Sequence, residues 1–93
     1  MKILTVCGLG MGSSLILKMN VESVLRNKGI SASVEHMDVS SAASASADLV
    51  ITNAELVDNL RHLSCPVMVV NNYIDTREIT QALSDAGVLS EGA

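Results

Sequence analysis

Ile3-Leu4-Thr5-Val6-Cys7-Gly8-Leu9-Gly10-Met11-Gly12-Ser13-Ser14 is the stretch whose reading decides the fold. Its first four residues are a short apolar run with β-branched members, the pattern of a strand buried on both faces of a parallel sheet. Three glycines then break the run before two serines and a long segment of helical periodicity. This strand–loop–helix opening predicts a parallel α/β protein with the strand at Ile3 in a central place.

The remaining chain repeats the alternation. From about Gly12 to Lys28, Leu17, Val21, Val24 and Leu25 form an apolar stripe, and Lys18, Glu22 and Arg26 form a charged row at i,i+4 spacing. This helix should stop at Gly29 as a C′ residue. Ile30, Ala32 and Val34 alternate with Ser31, Ser33 and Glu35, as in an edge strand with one face nearer water. Ser40 to Ala47 is a Ser/Ala tract, read as a loop or a short weak helix.

Leu49-Val50-Ile51 is a third strand, and Thr52 with Glu55 makes a capping box for a helix carrying Leu56, Val57, Leu60 and Leu63. After Pro66, Val67-Met68-Val69-Val70 is a fourth strand. Asp75 with Glu78 caps a last helix with the stripe Ile79, Ala82, Leu83 and Ala86, ending at Gly87. The expectation is one domain over residues 1–93: a three-layer α/β/α fold of the phosphate-loop or Rossmann-like kind, with a four-stranded parallel sheet in the order 2-1-3-4. Crossovers should be right-handed, and ligands should bind at the carboxyl ends of the strands.

Composition narrows the function. The 93 residues are 48% hydrophobic, 17% charged and 1% aromatic, so aliphatic side chains must fill one small core. A net charge of −4 argues against a nucleic-acid partner, which demands clustered Lys or Arg. The charge is uneven: residues 1–40 hold four basic and three acidic side chains, residues 41–93 two and seven. The glycine loop thus lies in the less anionic half. No secretory segment or run of about 18 apolar residues is visible, so the expectation is a cytoplasmic chain with reduced thiols and no direct membrane insertion.

The loop is where chemistry is expected. Cys7, directly after a buried strand and ahead of a helix N-terminus, faces backbone N–H groups and the positive end of a helix dipole. That setting favours a thiolate by lowering the thiol pKa below its free value of about 8.5. Gly8, Gly10 and Gly12 allow successive amides to wrap tetrahedral oxygens, with Leu9 and Met11 contributing backbone and Ser13 and Ser14 adding hydroxyls. The bland alternative is a strand-to-helix turn of small residues around an inert cysteine.

Known phosphate loops separate on single residues. The nucleotide triphosphatase loop demands Gly-Lys-Ser/Thr, and no lysine is present. The dinucleotide fingerprint places its third glycine where Ser13 stands. The loop of low-molecular-weight tyrosine phosphatases requires an arginine, again at Ser13. Without that guanidinium, ester hydrolysis loses its charge clamp, whereas a phosphocysteine is still cradled by amides. Carrying a phosphoryl group fits the loop better than hydrolysing esters.

With Cys7-Gly8-Leu9-Gly10-Met11-Gly12-Ser13-Ser14 and Asp48-Leu49-Val50-Ile51-Thr52 in place, the chain resembles the enzyme IIB components of the bacterial sugar phosphotransferase system, specifically the small ascorbate- and galactitol-type proteins. Met19-Asn20 is more similar to the ascorbate branch. The resemblance implies that Cys7 accepts a phosphoryl group from a phosphohistidine on a IIA protein and donates it to a sugar brought by a membrane IIC permease, with no cofactor. It also implies a free-standing subunit. Two alternatives remain: a tyrosine phosphatase-like hydrolase and a non-catalytic regulatory module.

Met11, Leu15 and Met19 recur at i, i+4 and i+8, either as a docking patch for IIA and IIC or as core packing. Cys65 is expected as a packed structural thiol at the amino end of the last strand. His36 and His62 lack metal-like spacing, so no metal is expected. Asp75 is read as a helix cap, and Asp38 is unassigned on the carboxyl rim.

Overall fold

The computed structural model describes residues 1–7, 13–42 and 44–87. Strand β1 (Lys2–Cys7) is followed by helix α1 (Ser13–Asn27), β2 (Ser33–Asp38), a short helix α2 (Val39–Ala42) and β3 (Leu49–Thr52). A 3₁₀ turn (Val57–Leu60), β4 (Val67–Val69) and α3 (Thr76–Asp85) complete it. The strands form a parallel sheet in the order β2-β1-β3-β4, as the alternation of strands and helices predicts.

Alternate residues of the central strands feed two apolar clusters. Ile3, Leu49 and Ile51 pack with Leu17, Val21, Val24 and Leu25 of α1 and with Ile79, Ala82 and Leu83 of α3. Leu4, Val6 and Val50 face the other way, onto Ala42 and Leu60. The period-2 alternation of a strand thus places one helical layer on each face. Both stripes read from the sequence are the faces that become buried.

Helix ends follow the glycines. Gly29 takes φ 71°, Gly29 N–H donates to Arg26 C=O and Ile30 N–H to Leu25 C=O at 2.9 Å, a Schellman termination. Gly87, at φ 87°, donates its N–H to Ser84 C=O at 3.0 Å after α3.

Three expectations are corrected. Strand β2 starts at Ser33 rather than Ile30, because β1 offers its first ladder partner at Lys2, opposite Ser33, and Met1 C=O accepts from Ser33 N–H. Ile30 and Ala32 are partly buried against the first cluster instead. The segment after β3 forms only a 3₁₀ turn rather than a helix. Its apolar residues Val57, Leu60 and Leu63 recur every three positions, the period of a 3₁₀ turn, and the chain must reach Pro66 soon after.

The expected Thr52 cap is also absent, because that side chain is used elsewhere. Thr52 ends β3, fully buried, and its hydroxyl donates to Val6 C=O at 3.1 Å. Asn53 caps the following turn in its place: its Oδ1 accepts from Glu55 N–H and Leu56 N–H, both at 2.9 Å. Among the described residues no helix is long and apolar enough to cross a membrane.

Candidate functional site

Cys7 is the last residue of β1, a central strand flanked by β2 and β3. Ile3, Leu4, Thr5 and Val6 ahead of it are all fully buried, so the strand's path is fixed from both faces. Its end is also held laterally. Cys7 lies opposite Asp38 in the β1–β2 ladder, Thr5 Oγ1 donates to Glu35 C=O at 3.3 Å, and Thr52 reaches across from β3 to the carbonyl of Val6. The backbone of Cys7 therefore leaves the sheet from a fixed position.

Gly8, Leu9, Gly10, Met11 and Gly12 lie outside the described residues. Beyond them, Ser13 and Ser14 begin α1, and the first turn of α1 holds no acidic side chain. The helix is anchored by Leu17, Val21, Val24 and Leu25, each at most 5% exposed. A helix start free of carboxylates, placed after the end of a central parallel strand, is an electrostatically favourable setting for an anion.

Other residues share the carboxyl rim of the sheet. Asp38 Oδ1 accepts from Ser41 N–H at 2.8 Å, which caps α2. The Ser41 backbone N–H, and after it the Ser41 side chain, holds the Asp38 carboxyl below the ordinary carboxylate range. Asp38 is therefore an anion with a structural task, unsuited to donating a proton.

Asp75 is a helix cap, as the sequence indicates: its Oδ1 accepts from Arg77 N–H at 3.0 Å and Glu78 N–H at 3.3 Å. Glu78 does not close the reciprocal half of a capping box. Its two carboxylate oxygens instead accept from Asn71 N–H and Asn72 N–H, each at 2.9 Å, and Asp75 N–H donates to Asn72 C=O. Asn20 of α1 adds a link between elements, its side-chain amide donating to Tyr73 C=O at 2.6 Å.

Leu15, Ile16 and Met19 of α1 and Ile74 of the β4–α3 loop are large apolar side chains left exposed. Leu15 and Met19 thus belong to the surface, which removes core packing as their explanation. Met11 lies outside the described residues. Cys65 is a free, half-buried thiol packed against the Leu4 cluster, remote from the carboxyl rim.

Thr52, Glu78 and Asn20 are rim-organising residues whose partners the sequence does not announce. Thr52 and Glu78 sit in capping patterns that name other partners. Asn20 interrupts a helical stripe, which signals a buried or bridging amide without saying to what.

The comparisons with known proteins agree with one another on the class. Residues 2–85 match the family model described as the lactose/cellobiose-specific IIB subunit of the phosphotransferase system. The ascorbate-specific IIB component of Mycoplasma pneumoniae is 33% identical over 85 residues, covering 88% of this chain and 90% of that protein. The lactose-specific IIB domain from Streptococcus pneumoniae superposes with a TM-score of 0.62 at 16% identity, covering 92% of this chain and 89% of that one, a likeness of fold.

Proposed function

The chain belongs to the IIB family of the sugar phosphotransferase system, whose members are phosphotransferases, and from that premise we propose that Cys7 is the residue that carries the phosphoryl group. The observation that carries this reading is the placement of Cys7 at the end of a central parallel strand, ahead of a helix whose first turn is free of carboxylates.

In the proposed cycle the Cys7 thiolate attacks the phosphorus of a phosphohistidine on a IIA protein. The P–N bond breaks, its electron pair returns to the imidazole, and a S–P bond forms. The amides of Gly8, Leu9, Gly10, Met11 and Gly12 and the hydroxyls of Ser13 and Ser14 hold the equatorial oxygens. A sugar hydroxyl presented by a membrane IIC permease then attacks the phosphorus: an O–P bond forms, the S–P bond breaks with its electron pair returning to the Cys7 sulfur, and the hydroxyl proton passes to solvent. No metal or cofactor takes part, and the cycle runs at the cytoplasmic face of the membrane.

The sugar we propose is ascorbate, with galactitol next. The support is the name of the Mycoplasma pneumoniae relative, similar over nearly its whole length. Incubation with phosphorylated ascorbate-type IIA should label the protein, and Cys7→Ser should abolish the label. Equal labelling of Cys7→Ser contradicts the assignment of the sulfur. Steady release of free phosphate from an aryl ester, lost in Cys7→Ser, contradicts the carrier role.

A further inference from the structure

Thr52 stands at the point where the two ladders of β1 part. On one side β1 stays paired with β2 as far as Cys7, opposite Asp38. On the other, its ladder with β3 pairs Ile3 with Leu49, Leu4 with Val50 and Thr5 with Ile51. The chain passes from β1 to β2 on one flank and then crosses to β3 on the other. The gap between the carboxyl ends of β1 and β3 is therefore the topological switch point of the sheet, where open α/β folds take their ligands. Thr52, the last residue of β3, closes the bottom of that gap.

The residue type is costly for its place. Leu49, Val50 and Ile51 ahead of it are apolar and at most 1% exposed, and Thr52 itself is fully buried. Valine has nearly the same shape and buries no polar atom, whereas a buried hydroxyl is unfavourable until it is hydrogen-bonded. The backbone of Thr52 is turned to β4, its C=O accepting from Val70 N–H at 2.8 Å, and its hydroxyl reaches β1, donating to Val6 C=O at 3.1 Å. That carbonyl shares a planar peptide with the Cys7 N–H. A donor on it therefore sets the tilt of the Cys7 backbone where the chain leaves the sheet.

We infer that Thr52 is a positioning residue for phosphoryl transfer: its hydroxyl, acting through the Val6–Cys7 peptide, holds the start of the Cys7 loop in the orientation that in-line attack demands. This rests on the phosphocarrier reading of Cys7. Thr52 makes no bond to donor or sugar in this role. It governs how well the acceptor is aligned once the donor has bound, and not how tightly the donor binds. Its loss therefore belongs in the rate of the bound complex, with the half-saturating donor concentration unchanged.

Two variants separate the halves of the side chain. Thr52→Val keeps the shape and removes the hydroxyl, and Thr52→Ser keeps the hydroxyl and removes the methyl. Single-turnover transfer from phosphorylated ascorbate-type IIA is followed against donor concentration, at a temperature where circular dichroism shows wild type and both variants folded. Thr52→Val should lose about tenfold in maximal rate at an unchanged half-saturating concentration, a fraction of the roughly hundredfold that 1 Å of misplacement costs. Thr52→Ser should restore most of that rate, although loss of the buried methyl lowers its thermal midpoint as well. A wild-type rate in Thr52→Val, a loss confined to half-saturation, or a loss in Thr52→Ser as large as in Thr52→Val overturns the positioning role while the carrier reading stands. Failure of the wild-type chain to accept label is a different result, which removes the carrier reading and this role with it.

Discussion

Thr52 and Asp38 act on the two sides of the β1 terminus, and each makes a separate prediction. Thr52→Val keeps the shape of a fully buried side chain but removes its hydrogen bond to Val6 C=O, one residue before Cys7. Urea unfolding should report a loss of about 1–3 kcal/mol. Asp38 has its carboxyl pKa lowered by Ser41, so its folded value lies below its unfolded one. Its contribution is fully present above the unfolded pKa and is lost as pH falls through the folded one. Acid unfolding of Asp38→Asn should therefore show a flatter pH dependence than the wild type below about pH 3.9. At this scale the sequence was legible at Asp75, whose capping partners are local in the chain. It was misleading at Thr52 and Glu78, because the same Thr-x-x-Glu and Asp-x-x-Glu spacings leave open whether a side chain turns to its own helix or to a neighbouring element.

Helix and strand boundaries are settled by competition between local pattern and available partners. α1 and α3 matched their stripes because Gly29 and Gly87 supply the left-handed residue that ends each one. Strand β2 slid three residues because a ladder needs a facing backbone, and β1 does not provide one before Lys2. The segment after β3 had an apolar spacing compatible with either helix type, and Val57, Leu60 and Leu63, three apart, suit the tighter turn that forms. For α3 the cap is local and separable: Asp75→Ala should lower stability by about 1 kcal/mol in thermal or urea unfolding. The loop ahead of α3 should also loosen, since Glu78 of the first turn holds Asn71 and Asn72.

Over the whole molecule, alternating strands and helices were enough to place Cys7 on the carboxyl rim, because parallel connection returns every strand in the same direction. The strand order and the two apolar layers were legible for the same reason. The tie from Asn20 to Tyr73 was not, since it joins residues 53 apart that meet only once α1 and the β4–α3 loop have packed. Family membership then turns a fold with an anion-friendly helix start into a phosphotransferase. On the reading proposed above, the phosphoryl group resides on the sulfur of Cys7. Peptide mapping by mass spectrometry after reaction with phosphorylated IIA, under conditions that preserve thiophosphate esters, tests it most directly. One phosphoryl group is expected on the peptide containing Cys7, and it should disappear on addition of IIC and ascorbate. A phosphoryl group on His36, His62 or Cys65, with Cys7 unmodified, would contradict it.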